Sequence, residues 1–453
     1  MPPGSQRTPR RARSVLHVNT RDKVGGAEGS AWNLFKAFQA RGLDSWLAVG
    51  TKTSDDPNVL VIPNEISRNG WVRACLSIAG NRGGIPGSIR KIAAGLRWAG
   101  EPLYGIDMLR GAENVHYPGT RHLLDLPPRR PDILHCHNLH GRYFDLRWLP
   151  WLSRQLPVIL NLRDTWALSG HCAGFQGCER WKTGCGRCPD LDIYPPLERD
   201  TTAANWSRKA RIYARSRLYV TAPSQWMMDQ IAQSMLHAAK SKLISNGIDI
   251  ETFRPADRDY ARRALDLPPD GVIVLISAHS SFKPLEPMFD VLRRLNFAGV
   301  RLTVVCLGKT QAPETLGQGT IIYRPYQLDP AAMSLYYQSA DAYLQVATAE
   351  AFGKSIVESM ACGTPVVVNA VAAIPELVTN LKTGMLVAAA DTAALAEALA
   401  RVLTDRELHG RIRAQGSEEA RRRFSLHRQS GEFLDWYEEV IEDWTLWKRA
   451  VRK

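Results

Sequence analysis

Short apolar runs alternate with longer amphipathic segments along most of the chain. The amphipathic segments, at 29–41, 202–216, 393–403, 406–424 and 432–449, have the spacing of helices with one buried face. The apolar runs are rich in Val, Ile and Leu and form two series: 15–18, 45–49, 131–137, 158–162 and 218–221, then 272–277, 301–307, 320–323, 342–346 and 366–368. Unbroken β-branched runs are typical of parallel strands that are covered on both faces. The alternation therefore predicts two doubly wound α/β halves that meet near residue 255 and face each other across a cleft.

The segment 348–368, TAEAFGKSIVESMACGTPVVV, reads as a loop, a helix and a buried strand. Glu350 and Glu358 bracket the loop and the first helical turns, and eight residues of helix span about 12 Å. That separation suits the two ends of an extended ligand, and the helix start at Gly353 suits a phosphate. We therefore predict a nucleotide-sugar site. From the spacing alone, a surface helix with two solvated glutamates explains the segment equally well.

Polar residues gather where predicted strands of the first half end. Gly25 and Gly26 follow the first strand, and His135 and His137 close the third strand. The two histidines are two residues apart, so they share one face of that strand. Ligands of open α/β sheets bind beyond the carboxyl ends of the strands, which favours a role for these residues in binding. A structural role for the histidines is the alternative.

Length and charge limit the classes of function. A chain of 453 residues is too long for one ordinary core, which predicts two domains. The net charge of +13 favours acidic partners such as phosphorylated substrates or anionic lipid. No zinc-finger, helix-turn-helix or RNA-binding aromatic motif occurs, so nucleic acid is not an expected partner.

The beginning of the chain carries no targeting segment that we recognise. Residues 1–13 are basic and have no apolar segment behind them, which predicts a disordered tail rather than a secretory signal. No run approaches the roughly 20 apolar residues of a membrane span. We expect a cytoplasmic protein that associates peripherally with the inner face of the cell membrane.

The segment 70–100 supplies the reason for expecting that association. It mixes tryptophan, leucine and isoleucine with five basic residues and contains no acidic residue. A basic segment with an apolar face can lie on an anionic membrane surface. The alternative is an ordinary pair of helices that packs on the sheet and leaves its basic side in water.

Four of the eight cysteines lie close together: Cys172, Cys178, Cys185 and Cys188. Because no secretory signal is evident, disulfide bonds are not expected. Tetrahedral structural zinc accepts four thiolates, so we predict a structural zinc site in the loop 170–190. Two cytosolic redox pairs are the alternative.

Several motifs in order resemble the retaining GT-B glycosyltransferases of family 4 over nearly the whole chain. They are GGAE at 25–28, DILHCHN at 132–138, APS at 222–224, NGID at 246–249, EAFGKSIVESMACGTPVV at 350–367, IPELV at 374–378 and TGMLV at 383–387. The segment CERWKTGCGRCP resembles a subgroup that acts on bacterial surface polysaccharides, colanic-acid-type enzymes among them.

The resemblance implies a GT-B fold of two Rossmann-like domains. An acceptor-side domain at 14–255 would be followed by a nucleotide-sugar-binding domain at 256–427. A C-terminal helix at 428–453 would pack back on the first domain.

The resemblance also implies roles for individual residues. Glu350 would hold hydroxyls of the donor sugar and Glu358 those of the ribose. Lys283 would neutralise the charge of the leaving diphosphate, and His137 would lie near the reacting sugar. The remaining expected contacts are backbone groups that approach the ligand, at Ala351, Phe352, Gly353, Gly25 and Gly26. No metal or other cofactor is expected at the chemistry; the donor would be a UDP- or GDP-sugar and the acceptor a glycan or a lipid-linked molecule.

The chain departs from the family pattern at three places that bear on donor choice and activity, one of them Val346–Ala347, where relatives commonly carry Pro-Ser. Ala278 stands where relatives carry an arginine that binds phosphate, and His279 or Arg324 are the candidates to replace it. Arg163 stands where many relatives carry histidine. The alternatives to a retaining transferase are an inverting transferase, a nucleotide-sugar epimerase and a non-catalytic nucleotide-binding module.

Overall fold

The first half of the chain forms a seven-stranded parallel sheet with the strand order β3-β2-β1-β4-β5-β6-β7. The computed structural model describes residues 12–23, 25–80, 87–278, 282–295, 301–317, 319–388 and 391–452. The strands are β1 (Ser14–Arg21), β2 (Asp44–Thr51), β3 (Val59–Val61), β4 (Ile133–Cys136), β5 (Val158–Asn161), β6 (Leu218–Ala222) and β7 (Lys240–Leu243). The central strands β4, β5 and β6 are buried along their whole length, as their unbroken apolar runs predict.

The second half forms another seven-stranded sheet, in the order β10-β11-β9-β8-β12-β13-β14. Its strands are β8 (Val272–Ser277), β9 (Leu302–Leu307), β10 (Glu314–Leu316), β11 (Gly319–Arg324), β12 (Ala342–Gln345), β13 (Val366–Asn369) and β14 (Met385–Val387). The edge strand β10 pairs antiparallel with β11, and the other pairs are parallel. Both sheets have the doubly wound architecture that the alternation of patterns predicts, which confirms the predicted fold class.

Helices cover both sheets. In the first half they are α1 (Gly26–Ala40), α2 (Gly70–Gly80), α3 (Gly87–Gly100), α4 (Pro102–Leu109), α5 (Leu149–Gln155), α6 (Thr202–Ala214) and α7 (Gln225–Ala232). Those that follow are α8 (Arg258–Ala264), α9 (Leu285–Arg293), α10 (Pro330–Ser339), α11 (Lys354–Ala361), α12 (Ile374–Leu377), α13 (Thr392–Thr404), α14 (Arg406–Arg423) and α15 (Leu426–Val451). Of the tail expected to be disordered, residues 1–11 lie outside the described residues.

The last helix, α15, begins at the second domain and packs on the first. It starts at Leu426, earlier than the sequence pattern predicts, because the Ser425 side chain accepts a hydrogen bond from the Arg428 N–H and caps the helix. Its buried face packs against residues of β1, β4, β5 and β6 in the core beneath the first sheet. The residues of α15 on this face are Phe433, Trp436, Tyr437 and Val440.

Three buried histidines line the face of the first sheet that α15 covers. His17 and His135 are register partners on β1 and β4, and His137 follows β4. His135 Nδ1 lies 2.6 Å from the Tyr437 hydroxyl oxygen on α15, and His17 Nδ1 lies 2.9 Å from His137 Nε2. Burial lowers the pKa of all three imidazoles, that of His17 to about 3, so they are neutral near pH 7.

Removing an aromatic anchor of α15 is expected to destabilise the first domain. Phe433 is completely buried, so Phe433→Ala leaves a cavity between α15 and the sheet and lowers the free energy of unfolding by about 3–5 kcal/mol. Urea denaturation followed by circular dichroism measures this change. The control is Leu446→Ala on the same helix, whose side chain is 59% exposed and which we expect to change stability little. Equal stability of the two variants would show that α15 is not part of that core.

The neutral histidines predict a loss of stability in mild acid. Because their pKa values are lower in the folded state, the unfolded chain binds more protons below about pH 6.5. Below that pH, each of these histidines lowers the free energy of unfolding by about 1.4 kcal/mol per pH unit. Above it, their contribution to stability is fully present. The pKa of His140 is raised by Asp164 against the effect of its burial, so this histidine acts in the opposite direction.

The measurement is the free energy of unfolding between pH 7.5 and pH 5.5, in wild type and in His17→Gln. The slope of this free energy against pH measures the number of protons that the chain takes up on unfolding. We expect that number to be smaller by about one in the variant. His237→Gln, which removes an exposed histidine outside the cluster, is the control. A slope that is the same in all three proteins would contradict the assignment of neutral buried imidazoles.

Candidate functional site

A cleft of about 980 Å³ lies between the two sheets, at the carboxyl ends of their strands. The first domain contributes the loop after β1 and the residues that follow β5, and the second contributes the loop after β12 and the start of α11. Most of the residues predicted from the sequence line this cleft: Gly25, Gly26, Lys283, Glu350, Ala351, Phe352, Gly353 and Glu358. The exceptions are His135 and His137, which do not line the described part of the cleft.

Glu350 and Lys283 form an ion pair in the second domain. The Lys283 Nζ atom lies 3.3 Å from Glu350 Oε2 and donates a hydrogen bond to Ser355 Oγ at 2.9 Å. Burial lowers the pKa of Lys283, but the charge and hydrogen bond of Glu350, together with Tyr343 and Tyr326, hold that pKa above its ordinary value. The ammonium group is therefore charged near pH 7 although the side chain is almost fully buried.

Gln345, at the end of β12, orients this pair. Its Nε2 atom lies 3.4 Å from Glu350 Oε2, and its Oε1 atom accepts hydrogen bonds from Ser355 Oγ and from the Tyr343 hydroxyl, both at 3.0 Å. The sequence offered no signal for this glutamine, because its partners come from different elements. Their shared hydrogen bonds connect the carboxylate, the cation and the first turn of α11.

Glu358 points from α11 into the cleft wall and is only 7% exposed. Tyr337 donates a hydrogen bond to its Oε2 atom at 3.2 Å, and Lys354 Nζ lies 3.1 Å from its Oε1 atom. Glu358 is therefore not a solvated surface carboxylate, and it lies on the same cleft as Glu350.

Two glycines begin the helices that reach the cleft. Gly353 precedes α11 with φ = 104°, and a Cβ atom there would lie 2.9 Å from Leu377 Cδ1. Gly25 precedes α1 with φ = 98°, and a Cβ atom there would lie 2.5 Å from Glu28 Oε2. Only glycine adopts such backbone conformations without strain, so both positions keep a helix N-terminus open towards the cleft.

Arg163 stands between the histidine cluster and the cleft. It lines the cleft and donates hydrogen bonds to His137 Nδ1 at 3.2 Å and to Asn246 Oδ1 at 3.0 Å. A guanidinium has no acceptor, so His137 Nδ1 must accept, and its Nε2–H donates to His17 Nδ1. Burial lowers the pKa of Arg163 to about 10, which leaves it cationic near pH 7. The sequence drew attention to His137, whereas the structure brings Arg163 to the ligand space.

The histidine cluster does not fit a metal site. One nitrogen from each of His17, His135 and His137 lies within 4.8 Å of the others. Both nitrogens of His137 are already engaged, by Arg163 and by His17, so a metal would have to displace one of these contacts. The adjacent guanidinium also repels a cation. His17 and His137 form a hydrogen-bonded support for Arg163, and the His135 ring stacks on that of His137.

The two domains touch directly beside the cleft. The Ser224 hydroxyl donates to the Ala351 carbonyl oxygen at 2.8 Å. Glu376, in α12, accepts the backbone N–H groups of Gln225 and Trp226 at 2.7 Å each, so a carboxylate of the second domain caps helix α7 of the first. The motifs APS and IPELV contain these residues, but the sequence does not show that they meet.

The cysteine-containing loop forms another part of the cleft wall. A Cβ atom at Gly174 would lie 2.7 Å from Phe282 Cε1 in the second domain, so the loop approaches that domain closely. Cys172, Cys178, Cys185 and Cys188 are free, partly buried thiols, and burial raises the pKa of Cys172 and of Cys185 to about 11. No three of their sulfur atoms lie within 4.8 Å of one another. His171 Nε2 lies 3.4 Å from Cys188 Sγ and is a further potential ligand that the sequence analysis missed.

The two candidates to replace the family arginine are not seen at the site. Ala278 continues β8 through a backbone hydrogen bond to Leu307 O at 2.7 Å. His279 lies outside the described residues, and Arg324 does not line the described part of the cleft. Arg163 is the guanidinium that the described structure places on the cleft.

Comparisons with known proteins agree with this architecture. The WcaC protein of Escherichia coli strain K12, a glycosyl transferase named for colanic acid biosynthesis, is 24% identical over 94% of this chain and 100% of its own. The D-inositol 3-phosphate glycosyltransferase of Mycobacterium marinum is 30% identical over 96% of this chain and 86% of its own. The structure of HepE from Anabaena in complex with UDP-glucose superimposes with a TM-score of 0.60 and 17% identity, covering 93% of this chain and 99% of that one.

Family profiles match both halves of the chain. Residues 289–419 match the description "Glycosyl transferases group 1", and residues 24–252 match "Glycosyltransferase Family 4". These matches confirm the family resemblance predicted from the motifs, and the two facing parallel sheets confirm the GT-B fold. The chain belongs to glycosyltransferase family 4.

Proposed function

We propose that this glycosyltransferase moves a sugar from a nucleoside-diphosphate sugar to a glycan or lipid-linked acceptor in cell-surface polysaccharide assembly, with retention of the anomeric configuration. The observation that carries the proposal is the ion pair of Glu350 and Lys283 beside the N-terminus of α11, in a cleft between two domains. The names of WcaC and of the UDP-glucose complex of HepE support, respectively, the class of product and the class of donor.

The two carboxylates suit the two ends of the donor. Glu358 is held by Tyr337 and Lys354 in a fixed position, where it can accept hydrogen bonds from ribose hydroxyls. Glu350 is held by Lys283 and Gln345 and can accept those of the sugar. The N-terminus of α11 lies between them and favours a diphosphate through its N–H groups and its dipole.

Cations from both domains suit the charge that develops during transfer. The acceptor hydroxyl oxygen bonds to the anomeric carbon as the bond from that carbon to the diphosphate oxygen breaks. The hydroxyl proton passes to the departing diphosphate on the same face of the sugar. Lys283 stabilises the negative charge on that diphosphate, and Arg163 supplies a second cation from the first domain, in compensation for Ala278. His137, which is neutral, orients Arg163 rather than titrating during the reaction.

For the cysteine-containing loop we propose a structural zinc ion bound by Cys172, Cys178, Cys185 and Cys188. Partly buried thiols from one short loop are the donor set that tetrahedral zinc accepts, although the sulfur atoms must approach each other to close the site. The zinc would fix a loop that contributes to the cleft wall and would have no part in the transfer itself.

The transfer reaction is tested by replacing Glu350. A panel of UDP-, GDP- and ADP-sugars, screened by thermal shift and by hydrolysis, first identifies a donor. Glu350→Ala is then expected to reduce turnover of that donor by at least about a hundredfold, because it removes a polar contact to the reacting sugar. Because the change leaves the buried Lys283 cation without its carboxylate partner, we expect a lower unfolding temperature, and turnover is compared well below the unfolding transition of the variant.

The matched control is Glu397→Ala, which removes an exposed carboxylate from α13 and should leave turnover unchanged. Full activity of Glu350→Ala would refute the assignment of this site. Nucleotide binding without turnover of any donor would identify a non-catalytic module. The anomeric configuration of the product, read by nuclear magnetic resonance, decides between retention and an inverting reaction.

The zinc proposal predicts about one equivalent of metal in protein purified without chelators. Mass spectrometry of the metal content measures it, and Cys185→Ser should remove most of the zinc. Cys75→Ala, a cysteine outside the loop, is the control that should retain it. Because burial raises the pKa values of the Cys172, Cys185 and Cys188 thiols, zinc must displace protons, and we expect the metal to be released as pH falls. Wild-type protein with no zinc and four reactive thiols in the loop would favour redox pairs.

A further inference from the structure

Helices α2, α3 and α4 form an insert between β3 and β4 that packs mainly on itself. Trp71 Nε1 donates to the Leu96 carbonyl oxygen at 2.9 Å, and Asn69 Nδ2 donates to the Gly100 carbonyl oxygen at 2.9 Å. Arg68 ties the base of the insert to the domain through an ion pair with Glu101 and a hydrogen bond to the His116 carbonyl oxygen. The described residues of these helices do not join the hydrophobic cores beneath the sheet. The alternative of a helical pair packed on the sheet is therefore not what the fold contains.

The outer surface of this insert is rich in exposed apolar side chains. Nine of the 19 exposed large hydrophobic residues in the described part of the chain lie between positions 66 and 106. We call this surface the apolar face, and it consists of Ile66, Trp71, Ile78, Ile89, Ile92, Leu96, Trp98, Leu103 and Ile106. Several are exposed to more than half, including Ile92 at 61% and Leu103 at 67%. Exposed apolar residues concentrated in this way mark an interaction site.

The apolar residues form rows rather than scattered points. On α3, Ile89, Ile92 and Leu96 are spaced three and four residues apart, so they lie on one side of the helix. Leu103 and Ile106 have the same spacing on α4. Ala93, one turn after Ile89, is buried and lies at the edge of this row. Helices α3 and α4 therefore each present an apolar row to the outside.

The charge around the apolar face is positive. Residues 70–100 contain five basic and no acidic residues, and the described Arg73 and Lys91 side chains are exposed. The acidic residues that follow are engaged by the domain, since Glu101 pairs with Arg68 and Asp107 lies 2.7 Å from His116 Nε2. Apolar stripes with basic residues beside them are the pattern of helices that lie in the interface of an anionic bilayer.

The alternative occupants fit this face less well. A second copy of the chain would bring two basic surfaces together, at a cost in electrostatic repulsion. Within the described residues, no helix is both long and apolar enough to cross a membrane. A surface contact with lipid head groups satisfies both the apolar stripes and the basic residues.

We propose that the apolar face docks this protein on an anionic lipid bilayer. The isoleucine, leucine and tryptophan side chains enter the boundary between head groups and acyl chains, and Arg73 and Lys91 contact lipid phosphates. The docking does not rest on the proposed transfer reaction, because it needs neither donor nor acceptor.

The test measures binding of the full chain to vesicles, without sugar nucleotide. Vesicles of phosphatidylcholine alone are compared with vesicles that also contain phosphatidylglycerol, by flotation in a density gradient. We expect binding to the anionic vesicles that weakens as salt is raised. The double variant Ile92→Ser/Leu96→Ser should bind at least about tenfold more weakly, because two apolar side chains no longer enter the lipid. Lys91→Glu changes the charge by two units, and we expect each unit to weaken binding about fivefold.

Matched controls carry the same changes elsewhere. Leu446→Ser alters an apolar residue that is 59% exposed on α15, and Lys382→Glu alters an exposed lysine of the second domain. Both should bind as wild type does, and all variants should keep the wild-type unfolding temperature. Failure of wild type to bind anionic vesicles, equal binding to neutral vesicles, or unchanged binding by the double variant would each overturn the proposal. A dimer in sedimentation velocity that the double variant abolishes would also overturn it, since the face would then be a contact between copies.

Discussion

The burial of α15 against the first sheet is the constraint on which the cleft depends. The helix starts at the end of the second domain, and its aromatic face is completely buried in the core of the first. Separating the two domains would expose that face or break the helix near Ser425. Contacts at the cleft itself, from Ser224 to Ala351 and from Glu376 to the start of α7, add polar bonds between the same two domains. The relative position of the two sheets is thus stabilised by the hydrophobic burial of α15 and by these hydrogen bonds beside the cleft.

Within the cleft, charge is distributed so that each buried cation has a fixed orientation. Lys283 is held by a carboxylate and a hydroxyl, whereas Arg163 is held by a neutral imidazole and an amide. The positive charge of Arg163 is therefore not neutralised by its own hydrogen-bond partners and is available to an anion. In the proposed reaction this cation takes the part of the arginine that the family pattern has at position 278. The guanidinium approaches from the opposite domain.

Two parts of the first domain, the cysteine-containing loop and the helical insert, interrupt its regular alternation of strands and helices. The loop contributes to the cleft through the close approach of Gly174 to Phe282, and its stacked Phe175 and Trp181 rings, 4.2 Å apart, join the main hydrophobic core of the first domain. The insert instead turns its apolar residues outwards. The loop concentrates four cysteines and lines the cleft, and the insert exposes the apolar face that we propose binds lipid.

The sequence by itself determined the elements whose residues are buried on a regular period. The apolar runs of β4, β5, β8 and β13 and the segment from Glu350 to Glu358 could be read directly, because burial on both faces demands unbroken apolar residues and a helix start demands its glycine. The edge strand β7, with the sequence KSKL, could not be read, since an edge strand is exposed and is defined by its pairing with β6 alone.

Only the tertiary structure decided which side chains meet. Lys283 and Glu350, which form an ion pair, are 67 positions apart in the sequence. Arg163 donates a hydrogen bond to Asn246, which lies 83 positions after it. Glu376 caps a helix that lies 150 residues before it. Likewise, His137 was a reasonable candidate from its position at a strand end, yet its ring lies behind Arg163 because His17 and the helix α15 hold the cluster in the core. Pattern reveals which residues are buried, whereas contacts between distant residues follow from how the buried surfaces pack.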